Sequence, residues 1–252
     1  MSVYRYPWKK FPPLIIHAEE SDVKKHPAYP AAKAGDPASA FNLVSQMISD
    51  ICLSQLCQLF SEKNPVLVSA HAVETSGVNA IPQAMAEYLG KKLRWPVESS
   101  IVQTNVVGHT GADGFSRLAR QAEFDGHVSK NAWYILVDDF IGQGGTLANL
   151  RGFLLHNRAQ VIGGTVLTGK PYSANLSSDE QQIIHLREKH GTELESWWSN
   201  HFGFGYDCLT RSEARYLLNT PAAQRIRNKI AQASETGNFP TRGKVSPGEL
   251  NT

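Results

Sequence analysis

Cysteine is scarce in this chain of 252 residues, which has only Cys52, Cys57 and Cys208. Three thiols cannot all pair within one chain, and Cys52 and Cys57 stand five apart in a helical pattern, a poor metal spacing. They read as core residues in a reducing compartment, so a cytoplasmic location is expected. The nine histidines show no ligand spacing, which argues against structural zinc. No apolar run approaches the roughly 20 residues that span a bilayer. Residues 1–13 are aromatic, basic and proline-containing without an apolar h-region, so neither a membrane span nor a signal peptide is expected. A dominant charge is also missing. Lys and Arg total 25 against 23 Asp and Glu, for a net charge of +2. That balance gives no field for nucleic acid. There is no internal repeat.

What is present concentrates in residues 134–147, Tyr-Ile-Leu-Val-Asp-Asp-Phe-Ile-Gly-Gln-Gly-Gly-Thr-Leu. Residues 134–137 are apolar on both faces, as in a parallel strand covered by helices. Asp138 and Asp139 fall where such a strand ends, and open α/β sheets bind ligands at that edge. Gly142, Gly144 and Gly145 let the backbone turn with its N–H groups aimed inward. Thr146 is placed to cap a helix over 147–158, whose N-terminus favours a phosphate. Paired carboxylates accept hydrogen bonds from a vicinal diol. The order of features describes a sugar-phosphate site.

Around this segment the pattern predicts four regions. Residues 1–37 read as an irregular N-terminal arm. Residues 38–171 read as an α/β core with a leading amphipathic helix over 38–61. Strands are expected at 65–71, 99–107, 133–137 and 161–169, with a helix over 81–89. Alternating strands and helices indicate a parallel sheet. Residues 172–235 read as a helical region, with helices at 178–190, 211–219 and 222–233. The final segment, 236–252, is polar with Gly and Pro and is expected to be disordered.

Residues 137–146 resemble the PRPP-binding motif of the type I phosphoribosyltransferases (PRPP is phosphoribosyl pyrophosphate). The resemblance implies an α/β fold with a parallel sheet flanked by helices, here with an N-terminal helix and a C-terminal helical extension. In that family the acidic pair, here Asp138 and Asp139, binds the ribose hydroxyls. The loop Gly142, Gln143, Gly144, Gly145 and Thr146 would hold the 5′-phosphate. The family's pyrophosphate loop maps to residues 71–78, with Thr75, Ser76 and Gly77 as donors. Glu74 beside a diphosphate suits that role only if it faces away or contacts magnesium. The segment 108–126 corresponds to a mobile lid, with Arg117 and Arg120 reaching for phosphates. It looks like the matching part of competence-related phosphoribosyltransferase-like proteins, with Phe124-Asp-Gly126 fitting their pattern. For both arginines a solvated helix face is the alternative.

Residues 166–172 resemble the strand end of purine salvage enzymes that reads x-Leu-x-x-Lys-Pro. That makes Lys170 a candidate base reader, with Tyr172 or Trp197 as a stacking cover; an ordinary solvent lysine is the alternative. One departure stands out. Purine salvage enzymes carry an acid three places after the second acid of the pair, where it acts as a general base, and this chain has Gly142 there. The resemblance implies transfer of a phosphoribosyl group to a nitrogenous base with release of pyrophosphate. It also implies Mg2+ as cofactor, contacting Asp138 and Asp139 indirectly. The alternative is a non-catalytic sensor of PRPP or a nucleotide that acts with a partner. The aromatic run Trp197, Trp198, Phe202, Phe204 and Tyr206 is expected to form a homo-oligomer or partner surface, since aromatics are enriched there.

Overall fold

A strand that is apolar on both sides needs cover on both, and the fold supplies it with helices. The structure, a computed structural model, describes residues 3–71, 79–105 and 113–235. The N-terminal region holds β1 (Ile15–Ile16), α1 (Glu20–Lys25), α2 (Tyr29–Lys33), α3 (Pro37–Met47) and α4 (Asp50–Phe60). The centre holds β2 (Val66–Ser69), α5 (Ile81–Leu93), β3 (Val97–Glu98), β4 (Val102–Gln103), α6 (Gly114–Ala119), β5 (Phe124–Asp125), β6 (Trp133–Ile141), α7 (Gly145–His156) and β7 (Gln160–Gly169). The C-terminal region holds α8 (Glu180–Phe202), α9 (Arg211–Leu218) and α10 (Ala223–Glu235).

The main sheet is parallel throughout, in the order β3-β2-β6-β7-β1. The chain leaves β2 first towards β3 and then crosses back to β6, so strand order reverses between β2 and β6. Crevices at such a reversal are where open α/β sheets take ligands. Ile135 and Val137 face a core under α3, α4 and α5. Tyr134 and Leu136 face a second core, with Leu147, Leu150 and Leu154 of α7. Helices α6, α8, α9 and α10 share a third core around Trp198, Tyr206 and Leu209.

The expected α/β class, with its parallel sheet flanked by helices, an N-terminal helical part and a C-terminal helical extension, is the fold observed. Several expected elements differ. Residues 1–37 are not an irregular arm: β1 takes the free edge of β7, and α1 and α2 follow. Elements of two to six residues are too short to show periodicity. The single helix over 38–61 is two helices. They part at Ile48, which is extended, and Ser49, whose side chain accepts from the Cys52 N–H and starts α4. Of the strand expected over 99–107, the described part, 99–105, holds only β4, which pairs antiparallel with β5 outside the main sheet, while β3 takes the sheet edge.

Two further helices run differently from expectation. Helix α7 begins at Gly145 rather than 147, with Gly144 as its N-cap, so Thr146 lies in the first turn instead of capping it. Helix α8 continues past 190 to Phe202, bending where Gly191 has φ +75°. That extension carries the aromatic run inward: Trp198, Phe204 and Tyr206 are buried in the third core, with Trp197 and Phe202 packed against it. Of the expected aromatic surface, only Trp197 and Phe202 keep part of their area accessible. Among the described residues no single helix is long and apolar enough to cross a membrane. The expected tail, 236–252, lies outside the described residues.

Candidate functional site

Strand β6 outlasts its neighbour. Its pairing with β2 ends at Ser69↔Val137, whereas its pairing with β7 continues to Ile141↔Gly169. Asp138 and Asp139 are the first residues past the end of β2, at the point of reversal. They lie within the hydrogen-bonded strand rather than after it, so their backbone is held by β7. Strand alternation starts the two side chains on opposite faces, but past the end of β2 their carboxyls come within hydrogen-bond reach of one another, with Asp139 turned to α2. Both are only 9% exposed.

Two near-buried carboxylates need partners. Asp138 Oδ1 accepts the Asp139 N–H at 2.8 Å. Asp139 Oδ2 accepts from Lys33 Nζ, at the end of α2, at 2.6 Å. Burial, and next the charge of Asp139, push the Asp138 carboxyl well above the usual carboxylate range. Burial works against the Lys33 ammonium, but the charge and hydrogen bond of Asp139 outweigh it and raise its pKa.

The loop that follows turns on glycine and leads into a helix. Gly144 has φ +81°, a conformation glycine adopts without strain. No side chain caps α7, so the first N–H groups of that helix keep their capacity for a ligand. A Cβ on Gly144 would stand 2.5 Å from Leu176 Cδ2, and one on Gly142 would stand 3.0 Å from Arg117 Nη1. Arg117 thus reaches the loop, and its buried Nε has no hydrogen-bond partner among the described residues. Arg120 closes α6, and among the described residues no bond joins it to the loop.

The back of the loop is fastened to the C-terminal region. Thr210 Oγ1 donates to the Gln143 carbonyl at 2.5 Å. Thr210 also caps α9 in a reciprocal box with Glu213. Glu213 binds Arg5, which reaches the Gly145 carbonyl at 3.4 Å and Asn149 Oδ1 at 2.6 Å.

Lys170 sits at the end of β7 with its Nζ 2.5 Å from Glu20 Oε2. Lys24 bonds the other oxygen of Glu20 at 2.5 Å and lies 5.7 Å from the Phe140 ring centroid. Tyr172 is exposed and lies beneath Arg215, 4.2 Å from ring centroid to guanidinium carbon. Trp197, the other expected stacking cover, stacks instead on His201 in the third core region. Thr75, Ser76 and Gly77 lie outside the described residues, as does Glu74. The segment opens from His71, whose Nδ1 is 2.8 Å from Ser69 Oγ and whose pKa burial lowers. Among the described residues no cluster of three or more His, Cys, Asp or Glu side chains could hold a metal.

Sequence reasoning missed Lys33, Arg5 and the bond from Lys170 to Glu20 because these partners meet only through the fold, whereas Glu20 and Lys24 are four apart on one helix and carried a local signal that was not read. Thr210 and Glu213 did carry a local signal, the Thr-x-x-Glu spacing of a capping box.

No protein-family model matches the chain. It is 38% identical over 229 residues to Protein TraN of Escherichia coli, an alignment covering 91% of this chain and 51% of that protein. It is 42% identical over 148 residues to an uncharacterized protein of Haemophilus influenzae, covering 59% of this chain and 33% of that one. The chain therefore spans about half the length of the first relative and a third of the second. Among solved structures, the adenine phosphoribosyltransferase of Leishmania tarentolae is similar over 58% of this chain and 89% of that one, with TM-score 0.30 and 11% identity. The adenine phosphoribosyltransferase of Leishmania donovani is similar over 73% and 81%, with TM-score 0.33 and 11% identity.

Proposed function

We propose that the crevice binds the ribose 5-phosphate end of PRPP or of a nucleoside phosphate, and that the protein transfers a phosphoribosyl group to a nitrogenous base. The observation that carries this reading is the spacing on one sheet edge. A nearly buried acidic pair at the reversal point is followed within a few residues by a glycine turn and an uncapped helix N-terminus. The first suits two adjacent hydroxyls and the second a phosphate.

In the reaction, a ring nitrogen of the acceptor forms a bond to ribose C1 as the bond from C1 to the pyrophosphate oxygen breaks. The bonding electrons leave with pyrophosphate, and the proton of an attacking ring N–H passes to solvent, because Gly142 supplies no base. The transition state is oxocarbenium-like, as in glycoside hydrolysis, so the protein contributes chiefly positioning and charge stabilisation. Asp138 and Asp139 orient the ribose, while Gly142–Thr146 and Arg117 hold the phosphate. Thr75, Ser76 and Gly77 would receive the leaving group. Lys170 becomes a base reader by exchanging its bond to Glu20 for one to the acceptor. Two carboxylates with no third His, Cys, Asp or Glu clustered beside them among the described residues fit a Mg2+ ion that keeps most of its water, and Asp138 and Asp139 would hold it indirectly. Such an ion would neutralise charge on the diphosphate.

Incubating the protein with PRPP, Mg2+ and a panel of purine and pyrimidine bases tests the transfer, read as base-dependent pyrophosphate release. The second reading is a sensor that binds PRPP or a nucleotide and acts through a partner. Gly142 in place of the general base favours it. Binding without pyrophosphate release on any base would select it.

A further inference from the structure

We infer that Lys33 is a positioning residue for the diol site, holding one oxygen of Asp139 so that one oxygen of each carboxylate remains for two adjacent hydroxyls. The inference rests on the ribose reading above and deepens it. Asp138 Oδ1 is taken by the Asp139 N–H and Asp139 Oδ2 by Lys33. No nitrogen or hydroxyl donor among the described residues reaches Asp138 Oδ2 or Asp139 Oδ1, and the two carboxyls lie within hydrogen-bond reach of one another. Side by side, the Asp139 carboxylate offers an acceptor, and the Asp138 carboxyl, which burial and Asp139 push toward its protonated form, offers an oxygen that donates or accepts; together they match the two hydroxyls of a vicinal diol.

Lys33 is fixed rather than draped across the site. Its neighbour Ala32 is fully buried in the core under α3 and α5. The Ala32 carbonyl accepts the Ala80 N–H at 3.1 Å, which ties α2 to the start of α5. Gly35, at φ +102°, turns the chain away directly after. Ala32 anchors the end of α2, so the backbone that carries Lys33 is held beside the acidic pair. A displaceable plug would sit on a segment free to leave. The ammonium also has donors to spare, since it has three and spends one on Asp139.

The test compares wild type, Lys33→Met and Lys33→Arg by titration calorimetry with ribose 5-phosphate, 2-deoxyribose 5-phosphate and inorganic phosphate. Methionine keeps the stem of a side chain that is 40% exposed and removes only the charge, so the fold is expected to survive. Wild type should prefer ribose to 2-deoxyribose. Lys33→Met should reduce that preference by about tenfold, the scale of one charge-assisted hydrogen bond. Lys33→Arg should restore most of it, and all three proteins should bind inorganic phosphate equally. An unchanged preference in Lys33→Met overturns the inference, as does tighter ribose 5-phosphate binding, which would mark Lys33 as a plug. A wild type that does not discriminate the two sugars removes the diol site itself, and the unmutated protein alone reveals that.

Discussion

Arg5 and Glu213 form a bidentate ion pair across 208 positions of sequence, with Nη1–Oε2 at 2.6 Å and Nη2–Oε1 at 2.9 Å. Their side chains are 1% and 2% exposed. The pair stands directly behind the loop Gly142–Thr146, since a Cβ on Gly145 would lie 2.8 Å from Glu213 Oε1. Without Arg5, that carboxylate would set an uncompensated negative charge against the proposed phosphate position. The N-terminal segment and α9 therefore hold the loop jointly.

Removing Arg5 strands a buried carboxylate. Arg5→Met is expected to cost about 3–5 kcal/mol of stability, measured by urea unfolding at neutral pH. Pairing it with Glu213→Leu should recover a large part of that loss, because coupled buried charges are not additive. Equal and additive losses would contradict the pairing.

At Gly144 a β-branched side chain meets both a positive φ and Leu176. Gly144→Val should lower stability by roughly 1–3 kcal/mol and abolish inorganic phosphate binding. Gly203→Ala is the control for conformation alone, since Gly203 has φ +79° with nothing within 4 Å of an added Cβ. Phosphate affinity should be unchanged in that control.

The acidic pair should trade stability against binding. The fold raises the Asp138 pKa, so it prefers the protonated form. That contribution to stability is complete below the ordinary carboxylate pKa and is lost as pH rises through the raised value. Asp138→Asn stays neutral at all pH, so it should unfold at higher urea than wild type at pH 7. Its ribose 5-phosphate affinity should nevertheless fall, by about 1.5–3 kcal/mol. A destabilised Asp138→Asn that binds normally would refute both halves.

His17 should govern part of the acid sensitivity. Its Nδ1 accepts the Ser49 N–H at 3.3 Å, and its Nε2 lies 3.0 Å from Thr165 Oγ1, which itself donates to the Ile15 carbonyl. That arrangement requires the neutral ring, and burial lowers its pKa from 6.5 to about 4. Stability from His17 is present above pH 6.5 and is lost as pH falls through about 4. At full loss it amounts to about 3 kcal/mol. Urea midpoints at pH 7.5 and 4.5 should diverge less in His17→Gln than in wild type. His71 and His190 are also lowered by burial, so some acid dependence should remain.

The site's strand, acidic pair, turn and helix were legible because they are contiguous: residues 134–147 encode their geometry locally. The third core was legible as helices over 211–219 and 222–233, but not as a destination for Trp198 and Tyr206. Helical periodicity does not say which core a ring enters. The Lys33–Asp139 contact spans 106 residues, and no local pattern announces it. Ser49 broke an otherwise periodic run because an N-cap competes with helix continuation, and a sum over apolar positions does not register that contest.

Titration of the protein with PRPP and Mg2+ tests the central claim most directly, with Asp139→Asn alongside wild type. Saturable binding by wild type that weakens at least tenfold in Asp139→Asn is the expected result. No heat of binding in wild type, or equal affinity in both proteins, would contradict a ribose phosphate site at the end of β6.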